Sequence, residues 1–221
     1  MSVDYAVTVG DAPELGGRCL LAIDTSIGTS VALGCDGWVW AVASENPRGH
    51  AEAIGTLLAL VFSESGVAAG RVDGVIAGMG PGPFTGLRVG IAAAQAFATG
   101  REAPLYGLHS HEAVALGTLE RGAAAGTRVV TDARRKELFV SDYASLNWAG
   151  IPELSNGPRL VAREGYEAVP GEEWPVTIDA SALVRLAARR IAAGIEFAGD
   201  QALYLREPDV AKPTTQKRVS A

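Results

Sequence analysis

The sequence predicts an α/β protein built from two similar lobes. Segments with strand patterns alternate with segments with helix patterns along most of the 221 residues. The two halves also resemble each other. An apolar strand ends in Asp24-Thr25-Ser26 in the first half, and another ends in Asp132-Ala133-Arg134 in the second. A hairpin strand and later a helix follow each of them, so the sequence indicates one structural unit used twice.

The first half opens with three predicted strands. Residues Leu20–Ile23 form an apolar run that ends at Asp24. Two further strands, over Thr29–Cys35 and Trp38–Ser44, are separated by Asp36-Gly37, a dipeptide typical of tight hairpin turns. The sequence therefore predicts an antiparallel hairpin directly after the first strand.

Two helices and two strands complete the first half. A helix is predicted from His50 to Ser65, closed by Gly66, because apolar residues recur there at helical spacing. Residues 74–78 form the next strand, a second helix follows over 86–99, and residues 105–108 form a short strand. Gly100 suits the end of the second helix.

The loop between strand 74–78 and the second helix is rich in glycine and proline. It reads Gly80-Pro81-Gly82-Pro83-Phe84-Thr85-Gly86-Leu87-Arg88-Val89-Gly90. It lacks the Gly-Lys-Ser/Thr of a P-loop, and its glycine spacing differs from that of dinucleotide-binding loops. From the residues alone, a structural turn and an anion or partner site both stay open.

The second half has strong signals at its two ends and weak ones between. Ser110 is the expected cap of a helix that runs to about Arg121, and strands follow over Thr127–Thr131 and Glu137–Tyr143. Residues 145–175 carry weak signals. A strand is predicted over Val176–Asp179, and an amphipathic helix over Ala180–Ala193, closed by Gly194.

Composition narrows the functional classes. The formal net charge of −6 disfavours a free-standing nucleic-acid binder, although residues 134–136 and 212–218 are locally basic. Cys19 and Cys35 have no metal-binding spacing; they could face each other, but reduced packing residues are predicted. No secretion signal and no apolar run long enough to span a membrane is seen, which predicts a cytoplasmic protein.

Four segments, in order, resemble the TsaB (YeaZ) family, whose members are partner subunits in the threonylcarbamoyladenosine modification of tRNA. They are Leu20–Ser26, Arg48–Leu58, Gly80–Gly90 and Asp132–Phe139, and Tyr204-Leu205-Arg206 also fits. The resemblance implies the actin-like ATPase (ASKHA, RNase H-like) fold with two lobes. It also implies a division into a loose extension (1–18), an N-terminal lobe with the partner interface (19–109), a C-terminal lobe (110–207) and a mobile tail (208–221).

The resemblance implies a subunit without catalytic residues of its own. It would bind and activate the catalytic subunit TsaD, which transfers a threonylcarbamoyl group to N6 of adenosine 37 in ANN-decoding tRNAs. A small ATPase, TsaE, would be a third partner, ATP and Mg²⁺ would serve the complex, and tRNA would be reached only through it. The chain would bind no cofactor alone and would pair with TsaD or with itself. The expected interface residues are His50, Glu52, Ile54, Leu57, Leu58, Val61, Phe84, Thr85, Leu87, Arg88 and Ile91.

Two aspartates stand where actin-like ATPases hold Mg²⁺ and phosphate. Asp24 is followed by Thr25-Ser26 and Asp132 by Ala133-Arg134, without the glycine-rich turns of active enzymes. We therefore expect degenerate nucleotide loops, with strand-end capping favoured over nucleotide binding. Two enzymatic alternatives remain: a small ATP-dependent phosphotransferase of the same fold, and a peptidase.

The histidines do not form a predicted metal site. Ile54 stands four residues after His50, so the metal-binding pair of TsaD is missing. His109 and His111 are two residues apart, and alternation in an extended segment would point them to opposite sides. No metal ligand is therefore assigned.

Overall fold

The computed structural model describes residues 5–46, 49–123, 126–199 and 201–206. In this part of the chain, two β-sheets and four α-helices make up the fold. The predicted α/β class with two lobes is confirmed. None of the helices within these residues combines the length and the apolar character needed to cross a membrane.

The first sheet has six strands in the order β1-β4-β3-β2-β5-β6. Its strands are β1 (Thr8–Asp11), β2 (Leu20–Asp24), β3 (Thr29–Cys35), β4 (Trp38–Ser44), β5 (Gly74–Gly78) and β6 (Leu105–Leu108). Neighbours from β1 to β2 pair antiparallel, whereas β2, β5 and β6 are parallel. β2, β3 and β5 are buried along their whole length, as their apolar sequences require.

Helices cover both faces of this sheet. Helices α1 (His50–Ser65) and α2 (Phe84–Arg101) pack on one face. Helix α1 lies on β3 and β4, and α2 lies on β5 and β2. Helix α4 (Ala180–Ala193) packs on the opposite face, beside Ala32 of β3. The second half of the sequence thus supplies a helix to the first sheet. The division of the chain at residue 110 stays a prediction.

The second sheet has the order β10-β7-β8-β9. Its strands are β7 (Thr127–Arg134), β8 (Glu137–Leu146), β9 (Pro152–Ala162) and β10 (Glu172–Glu173). Helix α3 (Ser110–Glu120) packs on β7, β8 and β9 and also contacts α4. Helices α3 and α4 therefore lie between the two sheets.

The N-terminal segment is more ordered than predicted. Instead of a loose extension, it contributes strand β1, which pairs with the edge strand β4. Ala12 and Leu15 then enter the core, and Glu14 forms ion pairs with Arg185 and Arg189 of α4. The prediction is corrected for residues 8–15. Residues 1–4 and 207–221, with the predicted tail, lie outside the described part.

The weakly patterned region also differs from the prediction. Residues Pro152–Ala162 form the eleven-residue strand β9, which pairs with β8 through an irregular register. Conversely, Val176–Asp179 is not a strand. Asp179 instead caps α4, because its carboxylate accepts a hydrogen bond from the backbone N–H of Ser181 at 2.9 Å.

The two cysteines are joined rather than reduced. Cys19 precedes β2 and Cys35 ends β3, and they flank the paired residues Leu20 and Gly34. Their Cα atoms lie 4.3 Å apart, and the structure records a disulfide between them. The prediction of reduced packing residues is wrong, because strand pairing places the two side chains opposite each other.

Candidate functional site

The turn after β2 contains Asp24, whose carboxylate is buried and bound by groups of the protein itself. Asp24 is 1% exposed. Its Oδ1 accepts hydrogen bonds from the backbone N–H of Ser26 at 2.7 Å and from the Ser26 hydroxyl at 2.6 Å, and its Oδ2 accepts one from the Ser110 hydroxyl at 2.5 Å. Burial raises the pKa of Asp24 and outweighs these hydrogen bonds, which act to lower it.

Thr25 fastens helix α2 to the same turn. Its hydroxyl donates to the carbonyl of Gly86 at 2.7 Å and accepts from the N–H of Gly90 at 3.0 Å. Gly90 approaches so closely that a Cβ there would collide with the Thr25 side chain. Thr25 therefore holds helix α2 against the turn.

The Gly/Pro loop packs directly on this turn. A Cβ on Gly82 would lie 2.8 Å from both Cα and Cβ of Ser26. Gly80 has a φ of 93°, which glycine adopts without cost, and its N–H donates to the Ser110 hydroxyl at 3.2 Å. The first half of the loop is thus a buried structural turn. The segment reaches the surface in its second half, at Phe84, Thr85 and Arg88.

The turn after β7 is more exposed to solvent than the turn after β2. The Asp132 side chain is 46% exposed and accepts a hydrogen bond from the N–H of Arg134 at 2.9 Å. It also forms ion pairs with the guanidinium groups of Arg134 at 3.4 Å and Arg163 at 3.2 Å. Asp132 therefore lies in a solvent-exposed cluster of positive charge.

The first turn of α3 contacts both sheets. While Ser110 binds Asp24 of β2, the ring of His111 contacts the hydroxyls of Ser141 at 2.8 Å and Thr131 at 3.0 Å in the second sheet. Burial, with a smaller effect of His109, lowers the pKa of His111 to about 3, so the ring is neutral at pH 7. His109, not Ser110, is the N-cap residue, and it makes no capping hydrogen bond. The predicted cap is corrected, because the Ser110 hydroxyl is used by Asp24.

His50 lies at the edge of a cavity between the two strand-end turns. Its Nδ1 is 2.9 Å from the Thr29 hydroxyl. The cavity measures about 330 Å³, and Ser26, Thr85 and Asp132 also line it. Among the described residues, no group of three or more His, Cys, Asp or Glu side chains is placed to hold a metal ion.

The structure divides the expected interface residues into two groups. Five of them are buried in this chain's own core and are corrected to packing residues: Ile54, Leu57, Val61, Leu87 and Ile91. Helical spacing had placed these side chains on one face, but that face meets the sheet. The others reach the surface wholly or in part: His50, Glu52, Leu58, Phe84, Thr85 and Arg88.

Arg88 lies over the ring of Phe84 and beside that of Tyr204. Its guanidinium lies 3.7 Å from the centre of the Phe84 ring, and its Nε donates to the Tyr204 hydroxyl at 3.2 Å. The two rings are 4.7 Å apart. Tyr204 was not predicted as a site residue, although the segment Tyr204-Leu205-Arg206 belongs to the family resemblance and was the available signal.

The outer sides of α1 and α2 expose small residues at four-residue spacing. These residues are Ala51, Gly55 and Ala59 of α1 and Ala92, Ala96 and Gly100 of α2. A Cβ on Gly55 or Gly100 would meet no atom within 4 Å. We call this surface the α1–α2 face. Its six named residues carry at most a methyl group, which allows another helix to approach them closely.

Comparisons with known proteins agree with this geometry. The family model described as "TsaD: tRNA N6-adenosine threonylcarbamoyltransferase" matches residues 41–151. TsaB of Escherichia coli is 35% identical over 125 residues, 56% of this chain and 54% of that protein. This chain belongs to the TsaB (YeaZ) family. It spans about half the length of the E. coli relative.

Further similar proteins extend the match. An uncharacterised protein of Mycobacterium bovis is 32% identical over 178 residues, 75% of this chain and 79% of that protein. YeaZ from Pseudomonas aeruginosa superposes with a TM-score of 0.73 at 26% identity, over 85% of this chain and all of that one. The TsaB family's two-lobed ASKHA-like fold is therefore the fold of this chain.

Proposed function

We propose that this chain is a non-catalytic subunit in threonylcarbamoyladenosine biosynthesis, required for threonylcarbamoyl transfer to N6 of adenosine 37 in ANN-decoding tRNAs. Its task is to bind and activate a TsaD-like catalytic subunit. The names of its TsaB relatives support the pathway. The observation that carries the proposal is that the Asp24–Ser26 turn binds its own chain, which removes it from nucleotide chemistry.

The turn geometry argues against catalysis by the chain alone. A phosphate or Mg²⁺ at Asp24 would have to displace Ser110 and the N–H and hydroxyl of Ser26. It would also have to displace Gly82, which packs against Ser26. A buried, raised-pKa carboxyl is a poor ligand for a hard cation, since that role needs the charged form. Asp132 and Arg134 neutralise each other at the other turn.

We assign partner binding to the α1–α2 face. Its small residues allow close approach of helices, as at other helix–helix contacts. Glu52, Thr85 and Arg88 lie at its edge and supply polar contacts. Arg88 is already oriented by Phe84 and Tyr204, so fixing it in a complex costs little side-chain entropy.

Co-purification with the TsaD-like subunit of the same organism tests the proposal. We expect the unaltered chain to form a stable complex, and we expect Ala59→Glu and Arg88→Glu to abolish it and with it tRNA modification by the pair. Ala59 is exposed on α1, so a glutamate there disturbs the face without entering the core. Ala68→Glu, at an exposed loop position, is the matched control and should leave the complex intact.

A small ATP-dependent phosphotransferase is the alternative that one observation favours. The 330 Å³ cavity between the two turns, lined by Ser26, His50 and Asp132, is where such an enzyme would hold nucleotide. ATP turnover by the purified chain, together with no complex, would replace the subunit proposal with this one. A peptidase has less support, because the contact between Ser141 and His111 is fully buried.

Further partners stay part of the proposal. A TsaE-like ATPase would join the complex, ATP and Mg²⁺ would be used there, and a homodimer through the α1–α2 face would compete with the TsaD-like subunit. Because tRNA modification takes place where tRNA is used, the proposal keeps the expected cytoplasmic location. Sedimentation of the chain alone and with its partner distinguishes homodimer from heterodimer.

A further inference from the structure

A larger cavity than the one beside His50 lies where helix α4 begins. It measures about 700 Å³, which is within the size range of small-molecule sites. We call it the α4 cavity. The lining residues that matter here are Tyr5, Ser30, Ala43, Glu45, Ile178 and Asp179. None of the described residues that line it belongs to α1 or α2, so the cavity is separate from the surface assigned to the partner.

The position at which α4 begins leaves this space beside the sheet. Along β3, Ala32 and Gly34 lie under α4, and a Cβ on Gly34 would lie 2.5 Å from Cγ1 of Val184. Side chains two residues apart on a strand point to the same face, so Ser30 points to the α4 side as well. The helix begins at Ala180. Ser30 therefore faces the cavity beside the first residues of the helix.

The hydroxyl of Ser30 is a buried polar group without a partner. Ser30 is 2% exposed, and its Oγ makes no hydrogen bond within the described part of the chain. Asp24, its partner across the sheet on β2, binds Ser26 and Ser110 instead. Buried hydroxyls are normally hydrogen-bonded, because leaving one unpaired costs free energy. Ser30 can therefore offer a hydrogen bond to a molecule in the cavity.

The rim of the α4 cavity is negatively charged. Glu45 and Asp179 are exposed, and no Lys, Arg or His is among the described residues that line the cavity. Within the described residues, Glu45 has no ion pair. Asp179 uses Oδ1 to cap α4 through the backbone N–H of Ser181, so this helix end is already covered by a carboxylate. An anion would meet two carboxylates and no lining cation, and the charge therefore favours a cationic ligand.

Apolar groups contribute the neighbouring wall. Ile178 and Ala180 are buried, Tyr5 is half-buried, and Ala41 and Ala43 of β4 present only methyl groups. Contact with such a surface removes methylene groups from water, which is favourable. The wall therefore suits a ligand that joins its cationic group to a short alkyl chain.

We propose that the α4 cavity binds a small alkylamine. Its ammonium group would donate to Oγ of Ser30 and be attracted by Glu45 and Asp179, while its methylene groups contact Ile178 and Tyr5. This site goes beyond the proposed function, because partner binding through the α1–α2 face does not use it. The full chain without its partner is therefore sufficient for the test. A lysine side chain ends in the same alkylammonium group, and the experiment distinguishes the two sources.

Isothermal titration calorimetry of the full chain with putrescine and cadaverine tests the charge of the ligand. We expect saturable one-to-one binding of at least one of these amines, at least about tenfold tighter than binding of the neutral diol of the same chain length. Added salt should weaken amine binding, because the carboxylates are at the rim. No binding of either amine up to about 10 mM, or equal binding of the diol, overturns the proposal.

A pair of serine variants tests the hydrogen bond to the ligand. Ser30→Ala should weaken amine binding about tenfold, because it removes an acceptor for the ammonium group. It should leave the midpoint of urea unfolding unchanged or higher, since no described group of the protein loses a partner. Ser141→Ala is the control with the opposite pattern. It removes a buried hydroxyl that contacts His111 at 2.8 Å, so it should lower the midpoint and leave amine binding unchanged. Unchanged amine binding by Ser30→Ala overturns the proposal.

The carboxylates are tested by removing their charges. Glu45→Gln/Asp179→Asn should weaken amine binding about tenfold and remove most of its salt dependence. Asparagine still caps a helix, so α4 should keep its start. Glu164→Gln/Glu167→Gln changes the net charge equally at exposed positions that do not line the cavity, and it should bind the amines like the unaltered chain. Equal amine affinities of the two double variants would overturn the charge contacts.

Titration with lysine blocked at both its amino and carboxyl ends distinguishes the source of the ammonium group. We expect the free amines to bind more tightly, because the amide groups of blocked lysine must lose water at the apolar wall. Tighter binding of the blocked lysine would overturn the assignment to a small amine and identify the cavity as a site for a lysine side chain of another protein.

Discussion

Asp24 and Asp132 occupy equivalent positions at strand ends in the two halves of the chain, yet the protein uses them differently. Asp24 is buried and bound by Ser26 and Ser110. Asp132 is nearly half exposed and is bound by arginines. The difference comes from what covers each turn. The Gly/Pro loop and α3 close over the first, whereas the second meets solvent and basic side chains.

The two carboxylates are thus bound by the protein in two different ways. At the first turn, the chain's own hydroxyl and N–H groups bind Asp24 in the core. At the second turn, arginines pair with Asp132 at the surface. Hydrogen bonds inside the core contribute more to stability than exposed ion pairs do, so the two turns should respond very differently to substitution.

Removing the two carboxylates gives the largest expected contrast. Asp24→Ala leaves two hydroxyls and one buried N–H without their acceptor, and it should lower the free energy of unfolding by about 3 kcal/mol. Asp132→Ala should change it by no more than about 0.5 kcal/mol, because its ion pairs are exposed. Urea unfolding at pH 7 measures both. Similar losses would show that burial does not distinguish the turns.

The histidine behind the second turn should make stability depend on pH. The pKa of His111 is about 3 in the folded protein and near 6.5 when unfolded, so the unfolded chain binds the extra proton as pH falls. Stability is complete above pH 6.5 and should fall by about 1.4 kcal/mol per pH unit below it, or about 2 kcal/mol by pH 5.

Urea unfolding between pH 7 and pH 5 measures this contribution. His111→Gln should unfold with a shallower pH dependence than the unaltered chain. Thr131→Val, which removes one hydrogen-bond partner but keeps the imidazole, is the control and should retain the steep dependence. Parallel curves for His111→Gln and the unaltered chain would contradict the assignment of a buried, neutral ring.

Two glycines of α2 test how closely this helix packs on the Asp24–Ser26 turn. Gly90→Ala should cost about 1.5 kcal/mol, because the added methyl group collides with Thr25. In the same helix, a Cβ on Gly100 would meet no atom within 4 Å. Gly100→Ala should therefore be neutral or stabilise the protein by roughly a few tenths of a kcal/mol, because alanine favours the helix more than glycine does. Thermal unfolding of both variants is the measurement. A Gly90→Ala variant as stable as Gly100→Ala would refute the close docking of α2.

Sequence reasoning found the elements whose signals are local. The hairpin β3–β4 follows from Asp36-Gly37, and α1 follows from its helical apolar spacing and Gly66; all three have their predicted bounds. Strand β9 was missed because Glu153–Gly157 is polar and pairs only with β8, so no alternation appears. Strand β1 was missed because its partner β4 lies about thirty residues away.

The site was less predictable, because its partners are distant in sequence. Asp24 is bound by Ser110, 86 residues away, and Arg88 by Tyr204, 116 residues away. No local pattern shows such contacts. The apolar positions of α1 were correctly grouped on one side of the helix, but their spacing cannot distinguish a face that meets a partner from a face that meets the protein's own sheet.

The smallest expected effect concerns the cation beside Asp132. Arg163→Gln removes one of its two arginine partners, and both side chains are about half exposed. Solvent screens such a pair, so the free energy of unfolding should change by less than about 0.5 kcal/mol. Ser110→Ala, which removes a buried partner of Asp24 and leaves the N–H of Gly80 without its acceptor, should cost about 1.5 kcal/mol. Urea unfolding of the two variants at low and high salt separates the cases. At high salt, the change in the free energy of unfolding should vanish for Arg163→Gln and persist for Ser110→Ala. If the effect of Ser110→Ala also depended on salt, the Asp24 turn would be open to solvent.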